Sequence, residues 1–153
     1  MSNNYRVRFE KPVVGGLPIT LTTNSNTVSF VASHTPYDSL SELVTTLITV
    51  VLEDTIHKPV RWNTEPIEYE FLFTTDGDTI AHTVIQWPDA TRQRENSKIV
   101  FVMRGSRMEI ALPYWRALRQ LESHTTETWE WQHPFPTSDM RKLNQHIRRA
   151  KQE

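Results

Sequence analysis

The chain contains no cysteine among its 153 residues. That excludes disulfides, thiolate nucleophiles, iron–sulfur clusters and cysteine-type zinc sites. Glycine is almost as scarce, with four in all. There is no Gly-x-Gly-x-x-Gly, no Walker-type loop and no Gly-x-Ser-x-Gly elbow, so nucleotide phosphates and α/β-hydrolase chemistry have no motif to serve them. A long apolar run is also missing. The richest stretch, Leu40–Leu52, is broken by Ser41, Glu42, Thr45, Thr46 and Thr49, whereas a membrane span needs about 20 mostly apolar residues. The first residues, Met1–Arg6, lack the apolar segment of a secretion signal. The expectation is a soluble, cytoplasmic protein with no membrane partner.

What is present is a globular composition: 37% hydrophobic, 10% aromatic and 23% charged. The length suits one domain, 1–153, with a core of its own. Net charge is −1, but unevenly spread. Residues 51–100 carry 5 basic and 9 acidic side chains, and residues 101–153 carry 9 basic and 6 acidic.

Period-2 alternation marks the strands. Tyr5, Val7 and Phe9 alternate with Arg6 and Arg8. Ile19–Thr22 and Thr27–Ala32 flank Asn24-Ser25-Asn26 as a hairpin. Tyr69, Phe71 and Phe73 alternate with Glu68, Glu70 and Leu72. Asp76-Gly77-Asp78 is a tight-turn signal, and a return strand runs from Thr79 to Trp87. Ala90–Ser97 reads as an exposed loop. Ile99–Met103 is apolar on both faces, which suits an inner strand covered on both sides or a strand at a bend.

Three segments have helical period. The first is expected over Pro36–Glu53, ending near Asp54, with Thr35 as N-cap and Asp38 three residues on. Its apolar stripe is Leu40, Leu43, Val44, Leu47, Ile48 and Val51. The second opens at the Ser106-x-x-Glu109 capping box, with Pro113 marking either a kink or a later start. The third begins at Thr137 or Ser138 and carries a basic end. The order of elements predicts an α+β fold: a mainly antiparallel sheet with two or three helices packed on one face.

Chemistry-bearing motifs are few. The six histidines, His34, His57, His82, His124, His133 and His146, include no pair at i, i+4 on a helix. Asp76-Gly77-Asp78 lacks the twelve-residue ligand pattern of a calcium loop. Glu68 and Glu70 share a strand face as a glycosidase pair would, but the alternating aromatics turn them toward solvent, where an acidic solubilising face is the simpler reading. No nucleophile is supplied with a base, so catalytic, metal and cofactor sites are each expected to be none. The sequence pI of about 6.6 and the carboxylates Glu127 and Glu130 beside Trp129 and Trp131 argue against nucleic acid.

Four segments in order carry a resemblance. They are Tyr37-Asp38-Ser39-Leu40-Ser41-Glu42-Leu43; Val60-Arg61-Trp62 through Glu65-Pro66 to Glu68-Tyr69-Glu70-Phe71; Asp76-Gly77-Asp78; and Trp131 with His133-Pro134-Phe135-Pro136. This succession resembles a family of small bacterial proteins similar to the immunity or accessory partners of polymorphic toxin systems. Ile67 stands where the family pattern has Gly, and Ser39 where it has Ala. The resemblance brings no catalytic residues. It implies a protein-binding module that neutralises a toxin domain. The acidic surface of Glu65, Glu68, Glu70, Asp76 and Asp78 is then the expected partner-binding site, matched to a basic partner. The alternative is a self-associating structural or regulatory protein, with Leu72, Val100 and Val102 as its contact.

Overall fold

A computed structural model describes residues 4–52 and 58–152. Among the described residues seven strands form one antiparallel sheet in chain order: β1 (Arg6–Phe9), β2 (Gly16–Thr22), β3 (Thr27–Ser33), β4 (Val60–Asn63), β5 (Glu68–Asp76), β6 (Thr79–Trp87) and β7 (Lys98–Gly105). Helix α1 (Ser39–Val51) connects β3 to β4, and α2 (Arg107–Glu122) and α3 (Thr137–Lys151) follow β7. This is the expected α+β architecture and element order.

The sheet is two meanders joined weakly. β1–β2–β3 and β4–β5–β6–β7 pair along their lengths, but β3 meets β4 at a single position, Ser33 opposite Asn63. The curl brings the β2–β3 turn to β7, where the Asn26 side-chain amide donates to the Val100 carbonyl at 2.8 Å. Phe30 of β3 stacks on Tyr69 of β5, with centroids 4.1 Å apart.

One sheet face is the core. Leu17, Ile19 and Leu21 of β2, Trp62 of β4, Phe71 and Phe73 of β5, Val84 of β6 and Phe101 of β7 are all buried. Against them pack Leu40, Leu43, Leu47 and Val50 of α1 and Ile110, Tyr114 and Leu118 of α2, also buried. α3 lays Met140, Leu143 and Ile147 on the other helices.

Two local readings are corrected. Helix α1 is capped by Asp38 rather than Thr35: the Asp38 carboxylate accepts from the Ser41 N–H at 3.4 Å and from its hydroxyl at 3.0 Å. Thr35 is engaged elsewhere, its hydroxyl with Ser33 and its carbonyl with Asn63. α1 runs to Val51; the expected end near Asp54, and His57, lie outside the described residues. β7 is an edge strand rather than one covered on both sides, with Ile99 67% and Val102 48% exposed, and the other alternative, a strand at a bend, fits the local register shift against β6 between Val84 and Ile85. Pro113 lies inside α2, which starts at the expected Ser106–Glu109 capping box, with both reciprocal hydrogen bonds formed.

Candidate functional site

The five acidic residues do not make one face. Asp76 and Asp78 stand exposed at the β5–β6 turn, where Asp76 is 3.5 Å from Arg104. Glu65 is exposed in the β4–β5 turn and exchanges hydrogen bonds with the Asn63 side chain. Glu68 and Glu70, expected in solvent, are buried, at 2% and 8% exposure. The alternation did place Phe71 and Phe73 in the core. The two carboxylates point to the opposite face, but that face is covered there.

The cover is Arg92, a residue of the segment expected to be a bare loop. Its Nη2 donates to Glu68 Oε1 at 2.6 Å, its Nε to the same oxygen at 3.1 Å, and its Nη1 to Glu70 Oε2. Tyr37 donates its hydroxyl to Glu68 at 2.9 Å, and Trp87 Nε1 donates to Glu70 Oε1 at 2.9 Å. Tyr37 arrives from the turn before α1 and Trp87 from the end of β6, directly opposite Glu68. The guanidinium of Arg61 lies 4.2 Å from the Tyr37 ring centroid and pairs with Glu42 of α1 at 2.5 Å. One polar network thus ties α1, β4, β5, β6 and the 88–97 segment together.

Its electrostatics follow from the geometry. Burial alone would lower the Arg92 pKa, but the hydrogen bond to Glu68 and the charges of Glu70 and Glu68 outweigh it, and the net shift is upward. Burial, then the hydrogen bond to Glu68, raises the Tyr37 phenol. Each carboxylate already accepts from a guanidinium and from a neutral donor, an arrangement that holds the fold together.

A second buried polar group is His82, in the core. Nδ1 donates to the Leu72 carbonyl at 3.1 Å, and Nε2 accepts from the Tyr114 hydroxyl at 2.5 Å. Its ring stacks on Phe73 at 4.2 Å. Burial lowers its pKa to about 4. His133 donates Nε2 to the His34 carbonyl at 2.7 Å, and Trp129 Nε1 donates to the His133 carbonyl at 2.8 Å, which fixes the segment before α3 onto the end of β3. Among the described residues no group of three or more His, Asp or Glu side chains is arranged to hold a metal ion, and no helix is long and apolar enough to cross a membrane.

The outer sheet face holds a feature that the acidic residues had obscured. Leu72, Thr83 and Val102 lie in one row across β5, β6 and β7, and Ile85 and Ile99 lie together in the next row, beside Glu70. Leu72 and Ile85 are half-buried, and Ile99 and Val102 are exposed. The Asp76–Arg104 pair borders this patch at one end and the Arg92 network at the other. Leu72 and Val102 are contacts expected from sequence; Val100, expected with them, packs against the core instead. Ile85 and Ile99 were missed, because register alone brings them together.

No family model, no curated protein and no solved structure matches the chain.

Proposed function

We propose that the chain is a non-catalytic protein-binding module, and more specifically a cytoplasmic immunity or accessory protein that neutralises a bacterial toxin domain. The observation that carries the binding reading is the apolar patch Leu72, Ile85, Ile99 and Val102 on the outer sheet face, rimmed by ionic pairs. An apolar centre within a polar rim is the anatomy of a protein interface, and exposed contiguous apolar surface on a folded chain marks such sites. The toxin reading rests on the order of four sequence segments. Its acidic component narrows to Asp76, Asp78 and Glu65, the three carboxylates of the five that face solvent. They would steer a basic partner while the apolar patch supplies contact area.

Co-purification from the native host identifies the partner, and titration of that purified partner against Ile99→Glu/Val102→Glu tests the patch. The reading predicts lost affinity with an unchanged fold; a partner that binds the double variant as tightly as wild type would refute it.

A second reading is favoured by one observation. β7 is last in the sheet order and exposes Ile99 and Val102 on its outer face, an apolar surface that a second copy of the chain could cover. Self-association through β7 predicts a dimer by light scattering that the same double variant dissociates.

A further inference from the structure

The helical side of the molecule, away from the outer sheet face, carries an unbalanced charge. Trp115 of α2 is wedged against α3, its Nε1 donating to Asn144 Oδ1 at 2.7 Å. Two cations lie over this one indole: the Arg119 guanidinium at 4.9 Å from α2 and the Lys151 ammonium at 5.0 Å from α3. Both side chains are otherwise exposed. Asn144, Arg148 and Lys151 follow at i, i+4 and i+7, so Arg148 shares the stripe that borders α2. Arg116 lies one turn before Arg119. The one acidic residue of α3, Asp139, sits in its first turn beside Lys142. Among the described residues no carboxylate is within ion-pair distance of Arg116, Arg119, Arg148 or Lys151.

Like charges held this close repel, and salt screens the repulsion without cancelling it. Attraction to the Trp115 ring holds two of them in place. Water and counter-ions screen the rest, and carboxylates of a partner could displace them. We propose that the α2–α3 face docks an acidic segment of a partner protein, whose carboxylates sit against Arg119, Lys151, Arg148 and Arg116. Guanidinium groups suit this because they bind carboxylates through paired hydrogen bonds.

Polypeptide is favoured over nucleic acid by the aromatic rings. Binding to single strands relies on open rings for base stacking. Trp115 is buried beneath two cations, and Trp129 is tied to His133 and packed edge-on to Phe135. This surface is separate from the apolar outer face and goes beyond the function proposed for it.

The test is fluorescence anisotropy with a labelled oligoglutamate peptide and with single- and double-stranded DNA oligonucleotides, at about 50 and about 200 mM salt. The full chain is expected to bind the peptide more tightly than either DNA, and less tightly at the higher salt. Arg116→Gln/Arg119→Gln/Arg148→Gln/Lys151→Gln should weaken peptide binding roughly tenfold or more. The charge-matched control Arg6→Gln/Arg8→Gln/Arg94→Gln/Lys98→Gln removes exposed cations from the rest of the chain and should leave binding unchanged, as should Ile99→Glu/Val102→Glu. Equal losses in the two quadruple variants would reduce the effect to net charge and overturn the proposal. Tighter binding to DNA, or no binding of the peptide by wild type, would overturn it as well.

Discussion

The guanidinium of Arg92 sits between the carboxylates of Glu68 and Glu70, two residues that share one face of β5, and donates hydrogen bonds to both from a segment more than twenty residues away in sequence. The other hydrogen bonds that residues 89–97 form are local, among Asp89, Thr91, Arg92, Gln93, Arg94, Asn96 and Ser97. Arg92 is therefore the latch that holds this segment on the sheet. Its own backbone is in the left-handed region, at φ +51.

Arg92→Ala leaves two buried carboxylates without a counter-charge. Removing one partner of a buried ion pair costs about 3–5 kcal/mol, and the midpoint of chemical denaturation should fall accordingly. Amide exchange across residues 89–97 should rise with it. Arg92→Lys should recover part of the loss, since one ammonium cannot reproduce the fork that reaches both carboxylates. An Arg92→Ala variant as stable as wild type would mean that the pair is solvated in solution.

His82 makes stability depend on pH. Its pKa is about 4 in the folded chain against 6.5 when unfolded, so the unfolded chain takes up the proton first. Stability from this residue is complete above pH 6.5, falls as the pH drops toward 4, and levels off below. A shift of this size corresponds to roughly 3 kcal/mol. The groups around it, Tyr5 and Tyr114, are raised by burial and do not titrate in that window. Denaturation curves of His82→Gln should lose most of the slope between pH 6.5 and 4; an unchanged slope would assign it to other groups.

The β1–β2 turn carries a correctable strain. Val13 and Gly16 exchange backbone hydrogen bonds around Val14 at φ +50 and Gly15 at φ +76. A β-branched residue is unfavourable in the left-handed region, and Asn is preferred at that position. Val14→Asn should stabilise by about 1 kcal/mol, because the Val14 side chain is exposed and contributes no packing. Gly15→Ala should do the reverse: a Cβ there would come within 2.5 Å of the His34 ring. Thermal melts of the two variants should move in opposite directions.

Much of the fold was legible because its signals are local. Alternation located β5 and β6, with Asp76-Gly77-Asp78 between them, and Ser106 and Glu109 marked the start of α2. The candidate site was less legible. Alternation shows that Glu68 and Glu70 point away from the core; it does not show what lies over them, and Arg92 carries no periodic signal. Asp38 displaced Thr35 as cap because Thr35 is drawn to Ser33 and Asn63, partners visible only after folding. The two-faced apolar pattern of β7 allows burial on both sides or a bend; at a sheet edge with a register shift opposite Val84 and Ile85, Ile99 and Val102 form exposed surface.

The central claim is that the apolar outer face of β5–β7 is where a partner protein binds. The most direct measurement is calorimetric titration of the partner recovered by co-purification against wild type, Ile99→Glu/Val102→Glu, and Asp76→Lys/Asp78→Lys. The account predicts a loss of about 2 kcal/mol or more for the apolar pair, as expected of residues at the centre of an interface, and a smaller, salt-sensitive loss for the rim carboxylates. Wild-type affinity in the Ile99→Glu/Val102→Glu variant would contradict it.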